Sequence, residues 1–159
     1  ARSIHSQCQS MGISSQVIDL TAIELPLYSP VMEKRVETPD GLGSLETSFS
    51  EASGFAICSP EYNGSIPPVL TNTIAWLSTQ SSDFRSLFNG KPAMLATRSG
   101  GHGQKVLMAM RIQLSHLGCV VIGRDLVAKK DDKISAGSAR SVLELMVNLM
   151  NSTNDTSAG

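Results

Sequence analysis

Three short apolar runs separated by helical segments constrain the fold of this 159-residue chain more than any other feature. The runs are 54–58 (G-F-A-I-C), 93–97 (A-M-L-A-T) and 119–122 (C-V-V-I). Each is too short for a helix and lacks the polar alternation of a half-exposed strand, so each is typical of a strand covered on both faces. Helical patterns occupy 42–52, about 67–78, about 104–117 and 136–150. This alternation predicts an α/β domain with a parallel sheet and helices on both faces, in three layers.

The segments outside this alternation have weaker patterns. Ile4, Cys8 and Met11 are spaced for one face of a helix over 1–11, and Gly12 is a suitable stop. Residues 16–20 predict a short strand, and 25–39, which contain three prolines, predict a loop that includes one helical turn. We therefore expect one domain over 1–150 and a polar tail over 151–159.

Composition narrows the range of functions. The formal net charge is -1 and aromatic residues make up 4% of the chain, which argues against a nucleic-acid surface. No apolar run approaches the roughly 20 residues of a membrane span, and 1–5 contains no signal-peptide core.

The three cysteines, Cys8, Cys58 and Cys119, fit neither a disulfide framework nor a zinc site. Buried thiols and a cytoplasmic location are the default expectations.

Two loops have the position expected of a ligand site. In open parallel sheets, ligands bind at the carboxyl ends of the strands, and the loops 59–65 and 98–104 each follow a predicted strand and precede a helix. The candidate residues of the first loop are Pro60, Glu61, Tyr62 and Asn63. Gly64 permits close approach of a ligand. Three other interpretations stay open: Asn63 or Ser65 as a helix cap, Tyr62 as surface packing, and Glu61 as a solvated carboxylate.

The second loop is rich in glycine, so that its backbone amides can reach a planar or anionic ligand closely. Its candidate residues are Thr97, Arg98, Ser99, Gly100 and Gly101. The loop matches neither a Walker sequence nor G-x-G-x-x-G. Arg98 is either a ligand contact or a surface arginine.

The sequence predicts no metal site and no catalytic side chain. His5 and His116 fall within predicted helices and lack metal-ligand spacing. His102, in the second loop, is weak evidence for proton transfer. No arrangement of serine, histidine and acid is recognisable.

One longer motif is more specific. Residues 59–67 read S-P-E-Y-N-G-S-I-P, and Leu70, Asn72, Ile74 and Trp76 follow. This stretch resembles the NADPH-dependent FMN reductase family, which includes quinone, chromate and azo-dye reductases. The segment F-x-G-K-P at 88–92, the glycine-rich loop and H-L-G at 116–118 match the same family in order. The resemblance extends over about residues 1–150.

The resemblance implies a flavodoxin-like fold, bound FMN, and hydride transfer from NAD(P)H through FMN to a quinone-like or other small acceptor. It also implies a homodimer or homotetramer. By position, Pro60, Glu61, Tyr62 and Asn63 match the loop that holds the isoalloxazine ring. Residues 97–101 match the second flavin loop, although Arg98 stands where relatives often have a small polar residue.

One departure from the family pattern affects these expectations. The family begins with a strand, followed by a phosphate-binding loop patterned G-S-x-R-x-x-S-x-N, and this sequence has neither. That strand is central in a flavodoxin-like sheet, so the predicted strand 16–20 would lack its neighbour. Either the chain is a truncated form or another segment fills this gap, and we expect a genuinely shortened protein to bind FMN weakly or not at all. The alternatives to an NAD(P)H oxidoreductase are a flavodoxin-like electron carrier without its own turnover and a degenerate subunit that no longer binds FMN.

Overall fold

The computed structural model describes residues 1–128 and 133–155. Along the chain, helices alternate with short strands from residue 55 onward, as the sequence predicts. The elements are α1 (Arg2–Ser10), a 3₁₀ turn (Leu20–Ala22), α2 (Pro30–Arg35), α3 (Leu42–Glu51), β1 (Phe55–Pro60), α4 (Pro68–Leu77), β2 (Pro92–Arg98), α5 (Gln104–His116), β3 (Val120–Val121), β4 (Leu126–Ala128) and α6 (Ala136–Asp155).

The sheet is parallel and centred on β2. β1 pairs along one side of β2, with Phe55 opposite Ala93 and Pro60 opposite Arg98. The other side of β2 is shared: β3 pairs with its beginning and β4 with its end. Residues 92–97 are all buried, because helices cover both faces of this strand. The prediction of a parallel sheet is therefore confirmed.

The two faces of β2 define the three layers. Ala93 and Leu95 pack in one core with side chains of α3, α4 and α5. Met94 and Ala96, which point the opposite way, pack in a second core with α1 and α6. Burial of each large apolar side chain contributes about 1.5–3 kcal/mol. The predicted three-layer arrangement is confirmed.

The predicted strand over 16–20 is wrong. No strand forms there; Leu20 begins the 3₁₀ turn, and Asp19 caps it by accepting a hydrogen bond from the Thr21 amide at 3.0 Å. Ile18 and Leu20 still pack against the first core. The pattern identified the inward side chains, but an extended segment becomes a strand only where a neighbour supplies backbone partners. Within the described part of the chain, β1 pairs on one side only, with β2.

The predicted third strand, 119–122, is shorter than expected and is continued by an unpredicted one. β3 contains two residues, and β4 resumes pairing with β2 five residues later. Between them Asp125 forms an ion pair with Arg111 of α5, with 2.7 Å between Arg111 Nη2 and Asp125 Oδ1. At the end of the chain, α6 runs to Asp155, five residues beyond the predicted end at 150.

No helix among the described residues combines the length and apolarity needed to cross a bilayer.

Candidate functional site

The two loops predicted as ligand sites leave the sheet side by side. Ser59 lies opposite Thr97 and Pro60 opposite Arg98 in the parallel pairing of β1 and β2. Both strands therefore end at the same edge. This is the edge at which ligands bind in open α/β sheets.

The first loop is a closed hairpin. The Tyr62 amide donates to the Ser65 carbonyl at 3.0 Å, and the Ser65 amide donates back to Tyr62 at 2.9 Å. Asn63 and Gly64 form the turn, both with positive φ (50° and 75°), as a two-residue turn of type I′ requires. Neither Asn63 nor Ser65 caps α4, because α4 begins at Pro68 with Pro67 as its N-cap. The capping interpretation is therefore wrong.

The second loop is organised by its own side chains. Ser99 Oγ accepts a hydrogen bond from the Gly101 amide at 3.2 Å, and the Ser99 amide donates to the Ala128 carbonyl at 3.3 Å. The loop ends at Gly103, the N-cap of α5, with φ of 64°. A methyl group at Gly103 would overlap Thr97 Cγ2 and lie 3.4 Å from Ser99 Cβ. The glycine is thus required both by its backbone conformation and by the packing of Thr97.

The hairpin and the second loop also meet at α5. A Cβ atom at Gly64 would lie 3.2 Å from Lys105 Cδ, in the first turn of α5. The glycine lets the hairpin rest on this lysine side chain. The two loops and the beginning of α5 therefore form one continuous rim at the carboxyl edge of the sheet.

A cleft of about 380 Å³ lies inside this edge. It is enclosed by the carboxyl ends of three strands and by the beginning of α1, and its lining includes Arg2, Ser3, Ser59, Pro60, Thr97 and Arg98. Its volume is near the lower end of the range of about 300–1,000 Å³ for small-molecule sites. Of the described residues that line it, three carry a positive charge, Arg2, Arg98 and Lys133, and none is acidic. The cleft therefore favours an anionic ligand.

The beginning of α1 adds to this preference. The first backbone hydrogen bonds of the helix run from the Ile4 and His5 amides to the Ala1 carbonyl. The Arg2 and Ser3 amides precede them, and Ala1 supplies no side-chain cap. Backbone amides at a helix N-terminus, together with the helix dipole, favour an anionic ligand. The nine residues of α1 are long enough for this dipole to develop.

One buried polar atom at this edge of the sheet has no partner. Thr97 lines the cleft and is 3% exposed, yet its Oγ1 makes no hydrogen bond. A buried hydroxyl without a partner costs about 1–3 kcal/mol. The side chain of Thr97 follows that of Leu95 in the alternation of β2 and is directed to the α5 side of the sheet, toward Gly103.

The structure separates the predicted site residues into two groups. Pro60, Thr97 and Arg98 line the cleft. The others lie on the flanking loops, outside its lining: Glu61, Tyr62, Asn63, Ser99, Gly100 and Gly101. Tyr62 is 57% exposed, which leaves its ring free to contact either solvent or a ligand.

The sequence did not indicate one wall of the cleft. This wall is formed by the beginning of α1, which includes Ser3, and by the segment before α6, which includes Lys133. No local signal identifies these residues, because only the sheet brings positions so distant along the chain together. Cys58 also lines the cleft and is half-buried. The expectation that this thiol is fully buried is wrong, whereas Cys8 and Cys119 are buried as expected.

Two further residues of the long motif, Asn72 and Trp76, stabilise a neighbouring loop through hydrogen bonds. Asn72 Oδ1 accepts from the Tyr28 amide at 2.8 Å, and its Nδ2 donates to the carbonyls of Leu25 and Pro26 at 3.3 and 3.0 Å. Trp76 Nε1 donates to the same Pro26 carbonyl at 2.7 Å. These bonds hold the 25–28 loop against α4.

The fold and the cleft at the carboxyl edge of the sheet define a flavodoxin-like protein. Comparison with known proteins is more specific: the chain belongs to the NADPH-dependent FMN reductase family, whose pattern it matches over residues 1–133. It is 30% identical over 111 residues to a 2-hydroxy-1,4-benzoquinone reductase of Burkholderia sp., a match covering 69% of this chain and 58% of that protein. The chain thus spans little more than half the length of the curated relatives it matches.

Solved structures support the same fold. The flavoenzyme NAD(P)H:(acceptor) oxidoreductase of Paracoccus denitrificans superimposes with a TM-score of 0.76 at 17% identity, covering 95% of this chain and 87% of that one. A flavodoxin from the domain Archaea gives a TM-score of 0.61 at 14% identity, with coverage of 96% and 87%. Both structures agree with the flavodoxin-like fold of this chain.

Proposed function

We propose that this chain is an FMN-dependent NAD(P)H oxidoreductase that passes electrons to a quinone-like or other small acceptor. The observation that carries the proposal is the cationic cleft at the carboxyl edge of the sheet, between the ends of three strands and the beginning of α1. The family match and the similarity to a 2-hydroxy-1,4-benzoquinone reductase support the redox part of the proposal.

The residues present fit a phosphorylated planar cofactor. The uncapped amides of Arg2 and Ser3, with the charges of Arg2 and Lys133, would hold the phosphate. The isoalloxazine ring would lie against two loops, 60–63 and 97–101. The hydroxyl of Thr97 would donate to a carbonyl or accept from a ring N–H.

The protein's own contribution is binding and orientation. When bound, the flavin supplies two-electron chemistry, taking up hydride from NAD(P)H and delivering it to an acceptor. No side chain needs to form a covalent bond. The hairpin and the glycine-rich loop would hold the ring, and the exposed Tyr62 would be accessible to a nicotinamide or quinone.

The test is a single isosteric substitution. Thr97→Val removes the hydroxyl and keeps the shape, so flavin affinity should fall roughly tenfold, the equivalent of about 1.4 kcal/mol. The free energy of unfolding should not fall, because Oγ1 has no partner to lose. Thr73→Val is the matched control: Thr73 is equally buried, but its hydroxyl donates to the Val69 carbonyl at 2.8 Å, so that variant should lose stability and keep its flavin affinity.

Two measurements separate binding from turnover. FMN titration of the purified protein measures affinity, and anaerobic addition of NADPH measures bleaching of the flavin absorbance. Flavin that binds without bleaching would instead support the electron-carrier alternative. A protein that takes up no FMN would leave only the degenerate subunit.

Cys58 gives a readout that does not depend on activity. Because this thiol lines the cleft, bound FMN should slow its alkylation by iodoacetamide, measured by mass spectrometry. An unchanged rate of Cys58 labelling at saturating FMN would refute the assignment of the cleft.

We also propose a cytoplasmic location, which the three free thiols support.

A further inference from the structure

Arg98 is the last residue of β2, and its side chain belongs to the cleft side of the sheet. Side chains alternate along a strand, and that of Thr97 is directed toward Gly103 at the beginning of α5. Arg98 therefore follows Met94 and Ala96, which pack on the side covered by α1 and α6. Arg98 is exposed and lines the cleft.

The pairing of the strands places the positive charge of Arg98 in the middle of the carboxyl edge. Arg98 lies opposite Pro60 of β1 on one side and Ala128 of β4 on the other. Both neighbours line the cleft, and neither side chain can carry a charge. Among the described lining residues that belong to strands, Arg98 is therefore the only one with a positive charge.

The other two cations described in the lining come from a different wall of the cleft. Arg2 lies at the beginning of α1, and Lys133 lies before α6. In the proposed function these two charges hold the phosphate of FMN, whereas the flavin ring lies against the loop 97–101, which contains Arg98. Of these three cations, Arg98 is thus the one on the ring side of the proposed site.

Hydride transfer changes the charge of the ring and leaves the charge of the phosphate as it was. A C–H bond of the nicotinamide breaks, an N–H bond forms on the flavin, and both electrons of the broken bond go to the ring. Because the oxidised ring is neutral, it gains one negative charge, which it keeps until a second proton arrives from water. The nicotinamide leaves with a positive charge. An arginine side chain stays protonated in proteins, and an opposite charge nearby stabilises a charged group.

We propose that Arg98 stabilises reduced flavin in preference to oxidised flavin and thereby raises the reduction potential of the bound cofactor. The inference rests on the proposed function, because it requires FMN in the cleft. Its physical reason is the negative charge that the ring gains with the hydride, which the guanidinium of Arg98 offsets. The raised potential favours hydride uptake from NAD(P)H and restricts delivery to acceptors whose own potential is higher than that of the bound flavin.

The experiment measures the dissociation constants of oxidised FMN and of anaerobically reduced FMN on the same preparation at pH 8. Arg98→Gln removes the charge and keeps a side chain that can donate hydrogen bonds. Its affinity for reduced FMN should fall about tenfold, whereas its affinity for oxidised FMN should stay within about twofold of the wild type. A tenfold change in the ratio of the two constants lowers the midpoint potential of the two-electron couple by about 30 mV, which a titration against a redox dye checks independently.

Two matched variants separate the effect of a charge beside the ring from other causes. Arg98→Lys keeps the positive charge and should return the ratio of the two dissociation constants to within about threefold of the wild type. Lys133→Gln removes an exposed cation from the proposed phosphate site, where the ligand charge is the same in both redox states. This variant should weaken the binding of oxidised and reduced FMN by the same factor and leave the midpoint potential unchanged.

The outcomes distinguish a failure of this inference from a failure of the proposed function. The role of Arg98 would be overturned, with FMN binding intact, by any of three results: a wild-type ratio in Arg98→Gln, a ratio that Arg98→Lys does not restore, or an equal change of the ratio in Lys133→Gln. A wild-type chain that binds neither form of FMN would overturn the proposed function and this inference together. Because each ratio is measured on one preparation, a smaller yield of folded variant does not alter it.

Discussion

Replacement of Gly103 by alanine should destabilise the protein by two separable effects. Its φ of 64° is in the left-handed region, where a Cβ atom costs about 1 kcal/mol. The new methyl group would also overlap Thr97 Cγ2, and overpacking of a buried site costs about 1–3 kcal/mol. The expected loss in the free energy of unfolding is therefore about 2–4 kcal/mol.

Gly12→Ala isolates the first effect. Gly12 has nearly the same φ, 69°, and a Cβ atom there would meet no atom within 4 Å. This variant should lose only about 1 kcal/mol. The difference between the two alanine variants measures the collision with Thr97.

A third variant relieves the collision. Thr97→Ser deletes Cγ2 and keeps the hydroxyl, so the double variant of Thr97→Ser with Gly103→Ala should be about 1–3 kcal/mol more stable than additivity predicts. Urea unfolding is followed by the fluorescence of Trp76, the single tryptophan, which is 1% exposed. Equal losses in Gly103→Ala and Gly12→Ala, or an additive double variant, would refute the reasoning.

Three further predictions concern the loop anchor, the hairpin and a buried thiol. Asn72→Ala loses three hydrogen bonds and should cost about 2–3 kcal/mol in urea unfolding, whereas exposed Thr71→Ala on the same helix should stay within about 0.5 kcal/mol. Asn63→Asp keeps a residue that tolerates positive φ but should weaken FMN retention, since it places a negative charge beside the ring; unchanged retention in an FMN titration would argue against this loop position. Burial raises the pKa of the Cys119 thiol from 9.0 to about 11, so stability that is present below pH 9 is lost as pH rises through 11, by about 1–2 kcal/mol after allowance for partial solvent screening. In Cys119→Ala the free energy of unfolding, measured by urea titration from pH 8 to 11, should fall less steeply with pH than in the wild type. Equal slopes for the two proteins would contradict the raised pKa of Cys119.

The elements that the sequence predicts correctly are those whose signal is local. The apolar run 93–97 needs no other segment to be recognised as a buried strand, and Ile4 and Cys8 define the inward face of α1 by their spacing alone. The two ligand loops follow from strand order, because the carboxyl ends of parallel strands share an edge. The structure places Ser59 opposite Thr97, as that argument requires.

The features that could not be predicted depend on distant partners. Residues 16–20 have an extended, apolar pattern, but whether they join a ladder depends on a neighbour that no local pattern can report. The interruption between β3 and β4 coincides with the ion pair of Arg111 and Asp125, fourteen positions apart. The α1 wall of the cleft also depends on long-range packing, since Ser3 and Thr97 come to line the same cleft only when α1 packs on the sheet.

The hairpin at 62–65 has a kinetic consequence. Its two reciprocal hydrogen bonds and its left-handed turn are made by the hairpin's own backbone. Binding of a planar ring would therefore not require this segment to fold first. Little conformational entropy of the hairpin would be lost on binding. Differences in flavin affinity among variants of this loop should therefore arise in the dissociation rate constant rather than in the association rate constant.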